Sequence, residues 1–258
     1  MEDRASHPIV VRDLTTRIGN KTIHQGLNLR VRAGEILGLV GGSGSGKTLL
    51  LRTIIMLRAP TGGVIELFGK PTQSLSTTDT DHIRRRFAMM FQHGALFSSL
   101  SVLENIATPM REHLKLEAAT IESLARLKLR FVGLPDDAAA RYPGELSGGM
   151  LKRAAVARAL ALDPEVLILD EPTAGLDPVA AHELDQFIVE LRVSLGITVI
   201  IVTHDLDSLW YMTDRVAFLA ERQVMACLPI AELAQHSHPE IAQYFGGPRG
   251  RASIAAHR

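Results

Sequence analysis

The run Gly41-Gly42-Ser43-Gly44-Ser45-Gly46-Lys47-Thr48 fits the phosphate-loop pattern G-x-x-x-x-G-K-[ST] and constrains this chain more than any other stretch. Before it, Glu35-Ile36-Leu37-Gly38-Leu39-Val40 reads as a short buried strand. After it, Leu49-Leu50-Leu51-Arg52-Thr53-Ile54-Ile55-Met56-Leu57 reads as a helix packed on a sheet. Glycines let successive backbone N–H groups turn inward as a nest for anionic oxygens. The helix N-terminus adds free N–H groups and a partial positive charge. Lys47 then reaches the β- and γ-phosphates, and the Thr48 hydroxyl coordinates Mg²⁺. These residues imply a nucleoside triphosphate site; a plain Gly/Ser turn would leave Lys-Thr at the helix start to coincidence.

At 258 residues, 46% hydrophobic, the chain suits one large domain or a domain with a smaller subdomain. Its 28 Lys+Arg balance 28 Asp+Glu, so no global field draws in nucleic acid or an anionic membrane. The single cysteine, Cys227, excludes an internal disulfide and fits a reducing compartment. The first eight residues lack the basic start and apolar run of a signal peptide. No apolar stretch approaches the ~20 residues that span a bilayer. A soluble, cytosolic chain is expected.

Ile9-Val10-Val11, Leu27-Asn28-Leu29-Arg30-Val31 and Val64-Ile65-Glu66-Leu67-Phe68-Gly69 read as strands, predicting an antiparallel β-layer beside a parallel core sheet. Residues 75–86 read as helix and Phe87-Ala88-Met89-Met90-Phe91 as strand. Ser101-x-x-Glu104 is a capping box. Over 117–132, Ile121, Leu124, Ala125, Leu127, Phe131 and Val132 predict an apolar helix face used in packing. From 147 onward, helices and strands alternate, the pattern of a parallel sheet with crossover helices.

Asp170-Glu171 ends the apolar run Val166-Leu167-Ile168-Leu169. Groups at strand C-terminal ends face the ligand crevice of an open α/β sheet. That placement assigns Asp170 to Mg²⁺, directly or through water, and Glu171 to the attacking water. Ser147, followed by Gly148 and Gly149, caps a second helix whose N-terminus suits an anion. One loop already serves one triphosphate, so this terminus calls for a second molecule.

With Leu146-Ser147-Gly148-Gly149-Met150, Gln92 after a strand, Ala174-Gly175-Leu176-Asp177 and Thr203-His204-Asp205, the chain resembles an ABC-type ATPase over about residues 9–225. The resemblance implies a P-loop α/β fold over 1–245 with a helical subdomain inserted at about 93–160, and a tail, 246–258, poorly ordered or held by a partner. It also implies a head-to-tail homodimer sandwiching two ATP molecules. Position by position, Gln92 senses Mg²⁺ and the γ-phosphate, and Ser147 and Gly149 contact the γ-phosphate in trans. Asp177 lies at the dimer interface, and His204 supports the γ-phosphate and the attacking water. Only 147 − 47 = 100 residues separate Lys47 from Ser147, without heptads or paired cysteines. That spacing argues against the DNA-repair relatives with long inserts, and no nucleic-acid partner is expected.

Gly94-Ala95-Leu96-Phe97 after Gln92-His93, with Met150 where most relatives have glutamine, is similar to Mla/Mce-type lipid-transport ATPases. That resemblance implies a phospholipid or related cargo, an integral permease, an MCE-domain lipid-binding protein and often a STAS-domain protein. It places the chain on the cytoplasmic face of a bacterial inner membrane. An importer of amino acids or other small solutes is the alternative. Leu96, Phe97, Leu100, Val102 and Leu103 form an apolar cluster that either meets the permease or packs the helical insert. Many relatives stack an aromatic residue on adenine near the end of the first strand. Here that position is Ile18, with Arg17 beside it, so base discrimination is expected to be weak.

Overall fold

The computed structural model describes residues 6–91 and 94–247. Its strands are β1 (Ile9–Ile18), β2 (Lys21–Val31), β3 (Ile36–Gly41), β4 (Gly62–Leu67), β5 (Lys70–Pro71), β6 (Phe87–Met90), β7 (Val166–Asp170), β8 (Thr198–Val202), β9 (Arg215–Ala220) and β10 (Gln223–Leu228). Its α-helices are α1 (Lys47–Ile54), α2 (Thr77–Arg85), α3 (Val102–His113), α4 (Ala118–Phe131), α5 (Gly148–Ala159), α6 (Pro178–Leu195), α7 (Leu206–Met212), α8 (Ile230–Leu233) and α9 (Pro239–Gly246).

The main sheet runs β10-β9-β3-β8-β7-β6 and is parallel from β9 to β6. The near-continuous apolar runs of β3, β7 and β8 suit strands covered on both faces. β10 turns back antiparallel on β9. A second, antiparallel sheet runs β2-β1-β4-β5. Its inner residues Leu14, Leu27 and Ile65 share one core with Leu50, Leu51 and Ile54 of α1 and with Ile168 and Ile200 of the main sheet. Apolar burial at about 25 cal/mol per Å² makes this seam a main source of stability and fixes the phosphate loop between two sheets. The architecture is the mainly parallel sheet with an antiparallel layer and helical insert that the sequence predicts.

The other face carries α3 to α6. Ile106, Met110, Ile121, Ala125, Leu129 and Ala154 form a core continuous with Leu167, Leu169, Val199 and Ile201 of the sheet. Ser101 caps α3 by accepting from the Glu104 amide while the Glu104 carboxylate accepts from the Ser101 amide, an arrangement worth ~1 kcal/mol. The buried stripe of α4 is Ile121, Ala125 and Leu129, with Val132 just beyond the helix. Leu127 and Phe131, expected on that face, are instead exposed. A helix buries positions four apart, and 121, 125 and 129 leave 127 on the far side. The helix beginning after Ser147 ends at Ala159, and a 3₁₀ turn over Leu160–Leu162 follows. No helix among the described residues is long and apolar enough to cross a membrane.

Candidate nucleotide-binding site

Three strand ends build the site. β3 delivers the phosphate loop, β7 delivers Asp170 and Glu171, and β8 delivers His204 two residues past its end. The pairs β3–β8 and β7–β8 are parallel neighbours, so these groups converge at the C-terminal end of the sheet's strands. Gly46 caps α1 at φ 99°, a left-handed conformation that glycine adopts without penalty. A Cβ there would stand 2.4 Å from His24 Nε2 and 2.6 Å from Ile23 Cγ2, so backbone approach demands glycine twice over.

Lys47 Nζ donates to the Gly41 carbonyl at 2.7 Å and to that of Gly42 at 3.2 Å, curling back over the loop. Burial lowers its pKa, while the Glu171 and Asp170 carboxylates raise it. Asp170 is pushed above the ordinary carboxylate range, by burial first and then by Glu171, with Lys47 and Arg52 opposing. These mutual effects place Lys47, Asp170 and Glu171 in one electrostatic neighbourhood. Glu171 itself sits at φ 50°, and its amide donates to the Val202 carbonyl at 2.7 Å. Strain of this kind costs about 1–3 kcal/mol and concentrates at sites of function. His204 Nδ1 lies 2.9 Å from the Glu171 carboxylate.

Beside the loop, Ile18, Lys21, Ile23, Gly44, Gly46 and Thr48 line a groove of about 460 Å³. Ile18 is half exposed there. Arg17, expected beside the base, is tied by its Nε to Thr22 Oγ1 at 3.2 Å and is not part of this lining. Both residues end strand β1, whose pleat points consecutive side chains to opposite faces and so separates Arg17 from Ile18.

Ser147 Oγ accepts from the Met150 amide at 3.3 Å, and Asp177 Oδ1 accepts from the Val179 and Ala180 amides at 3.0 Å each. Ser147, Gly148, Gly149 and Asp177 line a different cavity, of about 350 Å³, from the one lined by Lys47 and Thr48. Gln92 falls outside the described residues. Two groups escaped the sequence reading. Lys152, buried on α5, donates to the Glu171 carbonyl at 3.4 Å, and His24, buried on β2, packs behind Gly46. The only sequence signal for Lys152 is a basic residue inside an alanine-rich helix.

A phosphate loop, an acidic strand end and a histidine at a third strand define a P-loop nucleoside triphosphatase. Residues 24–174 match the family model for ABC transporter, and the chain belongs to that family; it is an ATPase. It is 38% identical over 247 residues to the intermembrane phospholipid transport system ATP-binding protein MlaF of Escherichia coli (strain K12), covering 96% of this chain and 91% of that protein. It is 37% identical to the probable ribonucleotide transport ATP-binding protein mkl of Mycobacterium leprae, covering 93% and 69% respectively. Among solved structures it is similar to a dimeric ATP-binding cassette in a post-hydrolysis state with ADP and Pi (TM-score 0.77, 28% identity, covering 86% of this chain and 98% of that one). It is also similar to cbiO1 of Clostridium perfringens, part of an ABC transporter complex (TM-score 0.81, 28% identity, covering 98% and 100%).

Proposed function

We propose that this ATPase energises phospholipid transport through a separate integral permease, as a peripheral homodimer on the cytoplasmic face of a bacterial inner membrane. The observation that carries the cargo is the 38% identity to a phospholipid transport ATP-binding protein along 96% of the chain. In this reading residues 1–245 are the ATPase and about 93–160 the insert that meets the permease; the tail expected at 246–258 lies, from 248 onward, outside the described residues. An MCE-domain lipid-binding protein and a STAS-domain protein complete the assembly.

The separation of the Lys47 groove from the Ser147 cavity within one chain supports a composite site. Phosphate-loop residues 41–48 hold ATP from one subunit, while Ser147, Gly148 and Gly149 close over the γ-phosphate from the other. Asp177 lies where the two subunits meet. On binding, Lys47 exchanges the Gly41 and Gly42 carbonyls for phosphate oxygens. Glu171 takes the proton of the attacking water, and His204, already against that carboxylate, orients it and the γ-phosphate.

Thr48, Asp170 and Gln92 would hold Mg²⁺. The fit rests on Asp170, whose half-buried carboxylate is burdened by Glu171 and gains from a nearby cation. Among the described residues no three or more His, Cys, Asp or Glu are grouped so as to hold a metal ion by themselves. Mg²⁺ in triphosphate sites needs only one or two protein ligands beside the phosphates. When bound, it neutralises charge developing on the β- and γ-phosphate oxygens.

Affinity purification of the intact complex from native membranes tests the proposal. A multispanning permease with an MCE-domain protein is the expected recovery. A periplasmic amino-acid receptor in their place would favour the small-solute importer, and DNA or ribosomes would end the transporter reading.

A further inference from the structure

Behind the phosphate loop lies a polar pair that the chemistry above does not use. Thr16 on β1 and His24 on β2 are direct cross-strand partners, both fully buried. Thr16 Oγ1 and His24 Nδ1 are 2.8 Å apart. The other ring nitrogen, Nε2, is buried with no hydrogen-bond partner, and so is Ser45 Oγ in the adjoining loop. Buried polar atoms without partners are rare because each costs about 1–3 kcal/mol of lost solvation. Two of them around one ligand-binding loop call for an explanation in that loop's function.

Geometry supplies it. Nε2 points at the Ser45–Gly46 segment, since a Cβ on Gly46 would stand only 2.4 Å from it. Burial lowers the imidazole pKa, and the Ser45 backbone pulls it back upward, the influence of a carbonyl lying close to the ring. Among the described residues no ionised side chain contributes to that shift. The Ser45 carbonyl and the Gly46 N–H belong to one planar trans peptide and therefore point in opposite directions. A donor that holds the carbonyl from behind turns the amide forward, toward the phosphates.

We propose that His24 is a positioning residue for the phosphate loop: when phosphate occupies the loop, Nε2–H donates to the Ser45 carbonyl and fixes the Gly46 amide on the ligand. In that state Thr16 Oγ1 donates to Nδ1, which sets the tautomer. The inference rests on the nucleotide site described above and deepens it. The ring reaches the loop because β2 bulges: Leu14 pairs with Leu27 but Thr16 pairs with His24, two residues on β1 against three on β2. Gly26 at φ 67° lies inside that bulge and turns His24 inward.

The test is ADP binding to the full chain by calorimetry in EDTA, with His24→Phe, His24→Gln and Lys47→Ala compared against wild type. Phenylalanine keeps the ring volume without a donor, whereas glutamine places an N–H near the Nε2 position. The expected result is a Kd raised by about tenfold in His24→Phe, equal to ~1.4 kcal/mol, and restored to within about threefold in His24→Gln. A purely structural role would not be repaired by the flexible amide, which lacks the ring volume. Nitrogen-15 spectra of the wild-type histidines should show one buried Nε2–H resonance shifting on ADP addition. Wild-type affinity in His24→Phe, or equal loss in His24→Gln and His24→Phe, would overturn the role while Lys47→Ala still weakens binding. Unchanged affinity in Lys47→Ala would overturn the site and His24's role together. Thermal melts of each variant separate loss of folding from loss of binding, and His24→Gln carries the test if His24→Phe does not fold.

Discussion

The Glu171 carboxylate receives His204 at 2.9 Å, joining the residue after β7 to the second residue beyond β8. Glu171 is largely shielded, at 17% side-chain exposure, whereas His204 is 70% exposed. A shielded base with an accessible hydrogen-bond partner suits a water molecule arriving from the open side. Glu171→Gln should retain ATP binding, trap an ATP-bound dimer and lower hydrolysis by ~10²-fold or more. Phosphate release and gel filtration with Mg-ATP check both halves, and turnover at the wild-type rate would remove Glu171 from this role.

Ile18 lies half exposed in the groove beside Thr48, with Ile23 as its apolar neighbour. Apolar contact covers one face of a base but reads no exocyclic group, and the Arg17 guanidinium is hydrogen-bonded to Thr22. GTP should therefore support hydrolysis within about tenfold of ATP, a difference of ~1.4 kcal/mol. Ile18→Tyr should tighten binding of both nucleotides and leave kcat unchanged. A steady-state comparison decides it; strong ATP preference would mean that another segment reads the base.

The phosphate loop and the acidic strand end were legible because their chemistry demands residue types at fixed spacing. His24 was not, because strict alternation back from Val31, Leu29 and Leu27 would turn 25 and 23 inward, and the bulge at Gly26 shifts the inward position to 24. Strand β1 proved longer than Ile9-Val10-Val11, since Thr15, Thr16 and Arg17 are polar yet pair with β2 and β4. β10 and α9 follow the last motif: β10 is held by its ladder to β9, and α9 packs as Ile241 and Phe245 join Val40 and Phe218. Packing of that kind leaves no local signature. Phe131 misled for a similar reason: an aromatic residue at a helix end is buried or exposed according to its neighbours, not its type.

The apolar cluster at 96–105 divides in the structure. Val102 and Asn105 are buried, and Asn105 holds the Phe97 amide and carbonyl at 2.7 and 3.0 Å. Phe97 is half exposed, with Arg158 5.5 Å above its ring. Packing explains Val102, while permease contact remains the reading for Phe97. Phe97→Glu should abolish lipid transport in reconstituted vesicles with ATP affinity unchanged. Val102→Glu should destabilise the fold by several kcal/mol instead, because an unpaired charge enters the core. Full transport with Phe97→Glu would refute the contact.

Asp185 on α6 accepts a 2.6 Å hydrogen bond from Ser208 Oγ on α7, and its second oxygen is buried without a partner. The pair ties the helix after Asp177 to the helix after His204. Burial, with a smaller push from Asp205, raises the Asp185 pKa to about 7 against the Ser208 hydrogen bond. An unfolded aspartate titrates near 4. Between those values the folded state binds the extra proton, so stability falls as pH rises from about 4 to about 7 and levels off above it. Asp185→Asn stays neutral throughout and keeps an acceptor for Ser208. Melting temperatures of variant and wild type should agree near pH 4 and diverge as pH rises to 8, with the variant gaining. In a domain of this size ~1 kcal/mol moves Tm by about 2–4 °C, so the gap should reach several degrees. Taking the difference between the two proteins cancels the titration of other groups. A gap that stays constant across that range would show that Asp185 remains ionised in the fold, held by a partner other than Ser208.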